Sequence, residues 1–136
     1  MNHRTPSHQR VGIGLLVIPA LLILIYGYLS WLAFGDQTFF FESMNMPHPN
    51  HEFLIWSWGG KNTAIVVGIA LAAFSRSRQS LFIMMAVLFV MQWGDVNAGL
   101  RTDVNVFVTW AAMSLTISEV ILLSIFPRKK TQTSDS

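Results

Sequence analysis

Four apolar runs, each close to the length that crosses a bilayer, occupy most of the 136-residue chain. A hydrocarbon core about 30 Å thick needs roughly 20 helical residues to span it. The runs fall at about residues 11–34, 53–74, 80–99 and 104–126. They predict an all-α integral membrane protein, a four-helix bundle forming one compact domain between a polar basic tail (1–10) and a polar C-terminal tail (127–136). Composition agrees. Only 12% of the residues are charged and 52% are hydrophobic, whereas soluble domains carry about 25% charge. No basic stripe lies on a soluble surface, so nucleic acid is not an expected partner. The absence of cysteine excludes disulfides, thiolate metal sites and cysteine nucleophiles.

Arg4 and Arg10 precede the first run, as basic residues precede a signal peptide. The run is longer than the 7–15 residues of a signal core, and neither Ala20 nor Ala33 sits in a small-x-small cleavage site. It is therefore expected to remain as a span. Pro19 inside it is expected to kink the helix or remove one backbone bond. Tyr26, Tyr28 and Trp31 are expected to form an interfacial aromatic belt.

With four spans, Arg4, Arg10, Arg76, Arg78, Arg128, Lys129 and Lys130 all fall on one side, and the other side holds Arg101 among four acids. The positive-inside rule then places both termini in the cytoplasm. A bacterial inner membrane is the expected location.

The sequence Trp56-Ser57-Trp58-Gly59-Gly60-Lys61-Asn62 puts a lysine inside the second run. A charge at bilayer depth costs about 2.5–3.5 kcal/mol on insertion scales, so it calls for a partner, a polar cavity or a task. In that run Gly60, Ala64, Gly68 and Ala72 recur every four residues and predict close helix packing, within the chain or across a homodimer. Ser57 and Lys61 share their broad face. In the third run Leu88, Gln92, Asp95 and Gly99 share a face. In the fourth, Asn105, Thr109, Ala112, Thr116 and Glu119 form a polar-to-small stripe. Turned inward, these three faces bury the polar groups and leave Leu, Ile, Val and Phe to the lipid. Lys61 lies roughly 12 Å and Asp95 roughly 6–10 Å from the outer ends of their helices at 1.5 Å per residue, so a Lys61–Asp95 pair is expected. Glu119 sits deeper, as a carboxyl kept neutral by burial or hydrogen-bonded to Thr116 or Ser118.

The connection near residues 35–52 carries Met44, Met46, His48 and His51. Thioether and imidazole groups suit copper, but a surface turn with incidental histidines explains them equally. No cofactor is expected.

The segment 53–99 resembles small four-helix bacterial membrane proteins of the DoxX-like kind. The resemblance rests on Gly60-Lys61-Asn62 followed by Gly68, and on Gln92-Trp93-Gly94-Asp95. The family's usual basic residue at the first motif is arginine, which Lys61 replaces. The resemblance implies the four-helix fold and weight on Lys61 and Asp95. Roles proposed for such proteins include membrane-associated redox support, and no reaction follows.

Three function classes remain open from the residues. The first is a membrane protein binding a small lipophilic molecule, or an accessory subunit, through a pocket lined by Ser57, Lys61, Gln92, Asp95, Asn105 and Thr109. The second is a membrane-embedded enzyme (isomerase, cyclase or hydrolase) using Asp95 and Glu119 as acid and base, with Lys61 assisting. The third is a proton-coupled carrier or an outward-facing metal handler. The expected partners are the bilayer, a lipophilic small molecule, and either a second copy of the chain or another membrane subunit.

Overall fold

The protein is represented by a computed structural model that describes residues 10–35, 42, 52–102 and 104–125. The described residues are helical almost throughout. A 3₁₀ turn at Ile13–Leu16 leads into α1 (Val17–Gly35), followed by α2 (Glu52–Ser75), α3 (Arg78–Thr102) and α4 (Phe107–Ile125). Three helical segments are long and apolar enough to cross a membrane: Ile13–Gly35, Arg78–Thr102 and Phe107–Ile125. Helix α2 is also long, at 24 residues. Its N-terminal half, however, carries Ser57, Lys61, Asn62 and Thr63, and this separates it from the other three.

Lipid explains why these sequences are helical at all. In α1, Val17, Ile18, Ile23 and Ile25 are indifferent helix formers in water. In hydrocarbon the helix wins because it satisfies every backbone group within the segment. Pro19 falls in the first turn of α1, directly after the 3₁₀ turn. Its ring would clash with the carbonyl of Leu15 in a regular helix. The tighter 3₁₀ winding at Ile13–Leu16, with Leu15 N–H donating to Gly12 O at 3.1 Å, lies where that clash would occur.

Helix α1 packs closely along α2, and α3 along α4, while α2 meets α3 more lightly. Apolar burial between helices gains little from water exclusion when the solvent is lipid, so contact quality carries the packing. One cluster joins Leu22, Tyr26, Ile65, Ile69, Met85, Leu88 and Ala112 in mid-structure. A second joins Val11, Leu15, Ala72, Leu81 and Leu123 at the end holding the α2–α3 turn. That end is also tied by polar bonds. Val11 N–H donates to Arg76 O at 2.9 Å, and the Arg76 guanidinium donates back to Val11 O at 2.8 and 3.3 Å. Arg76 adopts φ 49°, the left-handed conformation that stops α2. Ser77 then caps α3, its hydroxyl accepting from Ser80 N–H at 3.3 Å. Arg76, read from sequence only as an orienting charge, is thus also a clamp on the N-terminal strand of chain.

The small-residue stripe holds at Gly68, which lies close against the Met84 side chain, and at buried Ala72, and is corrected at its other end. Gly60 and Ala64 are exposed, and a Cβ on Gly60 would meet nothing within 4 Å. The buried face of α2 is instead Gly59, Asn62, Ile65, Ile69 and Ala72, rotated from the four-residue stripe. Close approaches occur at Gly59, under the Phe34 ring, and at Gly99, under the Val106 side chain. Beside Gly59, Thr63 donates its hydroxyl proton to Gly59 O at 2.8 Å. Ser30 is therefore the donor in the 2.6 Å contact between the two hydroxyls, a bond that joins α1 to α2.

Gly99→Ala is expected to lower stability by about 1–3 kcal/mol, because β-branched Val106 has little room to retreat. Gly60→Ala is expected to be neutral or stabilising by about 0.5–1 kcal/mol, as for an open helical glycine. Thermal unfolding of both variants in detergent micelles compares them directly, and equal losses would restore the original stripe.

Candidate functional site

The half of the structure away from the Arg76 clamp gathers Lys61, Asn62, Gln92 and Asp95. Lys61 reaches from α2 to α3 and donates to both Asp95 carboxylate oxygens at 2.8 Å. The two side chains are 31% and 39% exposed, so the pair sits at the flank of the interior. The expected Lys61–Asp95 pairing is therefore present. It closes the lightly packed α2–α3 seam and cancels two charges.

Beside Asp95 lies a partly enclosed cavity of about 140 Å³. Its polar lining comes from Tyr26, Trp58, Asn62, Asp95, Thr102 and Thr109, and much of the remaining wall is aliphatic: Ile25, Leu29, Val104, Val106 and Val108. The cavity lies where all four helices converge, with Gly99 and Ala112 among the small residues of its wall. Asn62 is only 2% exposed, and its Nδ2 has no hydrogen-bond partner. Tyr26 is 6% exposed and accepts a 2.9 Å bond from Gln92 Nε2.

The sequence-derived site residues divide. Asp95 and Thr109 line the cavity. Lys61 stands behind Asp95 as its partner. Gln92 is buried but supports Tyr26 rather than lining the space, and its own Oε1 has no partner. Ser57 is exposed and outside the lining, because the buried face of α2 is rotated away from it. Asn105 is also removed from the pocket set. It is exposed, precedes α4, and its Oδ1 accepts from Phe107 N–H at 3.0 Å, so it serves as a cap on a helix that starts later than expected. Met44, Met46, His48 and His51 lie outside the described residues.

Tyr26 and Asn62 were missed as site residues. Tyr26 was placed in an interfacial belt with Tyr28 and Trp31. Those two rings are exposed and stacked at 6.2 Å, whereas Tyr26 turns inward. The available signal was spacing: Leu22 and Tyr26 lie one turn apart on the face that carries Pro19. Asn62 follows Lys61 directly, and the step from Asn62 to Ile65 and Ile69 marks it as inward.

Glu119 is fully buried, and neither carboxyl oxygen has a partner. The expected bonds to Thr116 and Ser118 are absent. Thr116 donates to Ala112 O at 2.9 Å and Ser118 to Ser114 O at 2.8 Å. Along α4, Glu119 lies about 15 Å from Thr109 at 1.5 Å per residue, and it is not part of the cavity wall. Asp95 and Glu119 are not brought together as an acid and base.

Comparison with known proteins returns no matching family model, no matching curated protein and no matching solved structure.

Two outcomes follow from this geometry. Lys61→Met and Asp95→Leu, made singly, each strand an uncompensated charge and lower stability. The double variant recovers most of the loss, with a coupling of about 1–3 kcal/mol in a double-mutant cycle. Additive losses would show that the two do not act as a pair. Separately, Glu119→Met removes two unpartnered buried oxygens at similar volume and is expected to raise stability by about 1–2 kcal/mol. A fall in the thermal midpoint of that variant would mean that Glu119 has a favourable partner.

Proposed function

We propose that this chain is a four-span integral membrane protein, arranged as a four-helix bundle, whose outer cavity beside the Lys61–Asp95 pair binds a small lipophilic molecule. The observation that carries the reading is the cavity itself: a largely aliphatic wall with a few polar groups converging from α1, α2, α3 and α4. Binding sites for small molecules have this make-up, apolar for affinity and sparsely polar for orientation. Helix α2 completes the set of spans, its lysine neutralised by Asp95. Outward-facing Leu24, Val67, Leu71, Val87, Val90 and Ile121 supply the lipid-facing surface.

Both termini lie on the cytoplasmic side in this reading. Arg10 and Ser77 pair as neighbouring backbone segments, which gathers Arg10, Arg76 and Arg78 at one end, as the positive-inside rule favours. The bacterial inner membrane fits such a chain. Acid/base turnover is not favoured, because Glu119 and Asp95 lie at different depths.

The test is a lipophile that travels with the protein. Organic extracts of the purified full chain are compared by mass spectrometry with extracts of Thr109→Trp, in which the indole fills the cavity. A lipophile present in the first and depleted at least severalfold in the second, at equal helicity by circular dichroism, supports the reading. Equal amounts in both, or none in either, would falsify it.

A further inference from the structure

Uncommitted hydrogen-bond donors line the cavity, and its charges are already balanced. Asn62 Nδ2 lies buried in the wall without a partner. Tyr26 Oη uses a lone pair to accept from Gln92 Nε2 at 2.9 Å, which leaves the phenolic proton to donate. The Thr109 hydroxyl lines the same space and has no hydrogen-bond partner among the described residues. On the acceptor side, both Asp95 oxygens are already engaged by Lys61 at 2.8 Å. A buried N–H left without a partner is costly, so an occupant that brings an acceptor oxygen recovers what the empty wall loses.

Size and charge narrow the class further. A cavity of about 150 Å³ holds one benzene ring, and this one is about 140 Å³. An anionic head would face the Asp95 carboxylate, and a cationic head would compete with Lys61 for it. We propose, on the basis of the ligand-binding reading above, that the site selects a neutral lipophile whose ring-sized head carries a hydrogen-bond acceptor oxygen. A carbonyl is the simplest such group. Tyr26 and Asn62 are the specificity-determining donors, Thr109 assists, and Gln92 is a positioning residue that holds the Tyr26 ring.

The test uses two probes of the same shape, acetophenone and α-methylstyrene, which differ in a C=O against a C=CH₂. Binding to the full chain in detergent micelles is measured by saturation-transfer NMR. Thr109→Trp in identical micelles provides the correction for partitioning into detergent. The wild type is expected to bind acetophenone about fivefold more tightly, the ratio that one net hydrogen bond of about 1 kcal/mol produces. Tyr26→Phe and Thr109→Val keep the side-chain shape and should each reduce that ratio, and Asn62→Ala should bring it close to one. Equal binding of both probes to the wild type overturns the acceptor preference and leaves the ligand-binding reading standing. Failure of both probes to bind above the Thr109→Trp background overturns that reading, and the preference with it.

Discussion

Hydrocarbon offers no hydrogen bonds, and this one deficiency organises the molecule. Every polar group carried into the apolar region must find a partner in the protein or be left without one. Lys61 and Asp95 solve the problem by joining two helices that otherwise touch lightly. Ser30 and Thr63 solve it by passing a hydrogen bond across the α1–α2 interface to the Gly59 carbonyl. Thr116, Ser114, Ser118 and Ser124 bond back to carbonyls of their own helix. The polar groups without partners are then conspicuous: Asn62, one oxygen of Gln92, and Glu119.

The two ends of the structure serve different purposes. At one end Val11, Leu15, Ala72, Leu81 and Leu123 pack together, and Arg76 fastens the start of the described chain to the α2–α3 turn. That end is closed by both packing and hydrogen bonds. At the other, the four helices do not fill the space between them, and the cavity remains. A rigid base beneath an incompletely filled mouth is a favourable arrangement for a site, because the side chains around the mouth are held by elements anchored elsewhere.

Glu119 stands apart from that site. A fully buried carboxyl without a partner is a cost that packing must offset, and its depth separates it from Asp95.

Much of the architecture was legible in the one-dimensional pattern. Run length and charge scarcity marked the helices, and the lysine in the second run called for a counterion that Asp95 supplies. Helix depth, which follows from residue count, was enough to pair them. Rotation about each helix axis was not legible to the same accuracy. The four-residue repeat of Gly60, Ala64, Gly68 and Ala72 pointed to one face of α2; Gly68 and Ala72 do pack, but in the first half of the helix Gly59, Asn62 and Ile65 turn inward in place of Gly60 and Ala64. An offset of one residue turns a helix by about 100°, which exposed Ser57 and brought Asn62 inward. Tyr26 was ambiguous for the same reason, since an amphipathic ring suits either the lipid boundary or a polar interior, and only the position of Gln92 on another helix separates the two. The sequence by itself thus determined the helices, their order and the need to neutralise Lys61, because each depends on local composition and length. The tertiary structure alone decided which side chains share the cavity, because that depends on how four helices rotate to fit one another's surfaces.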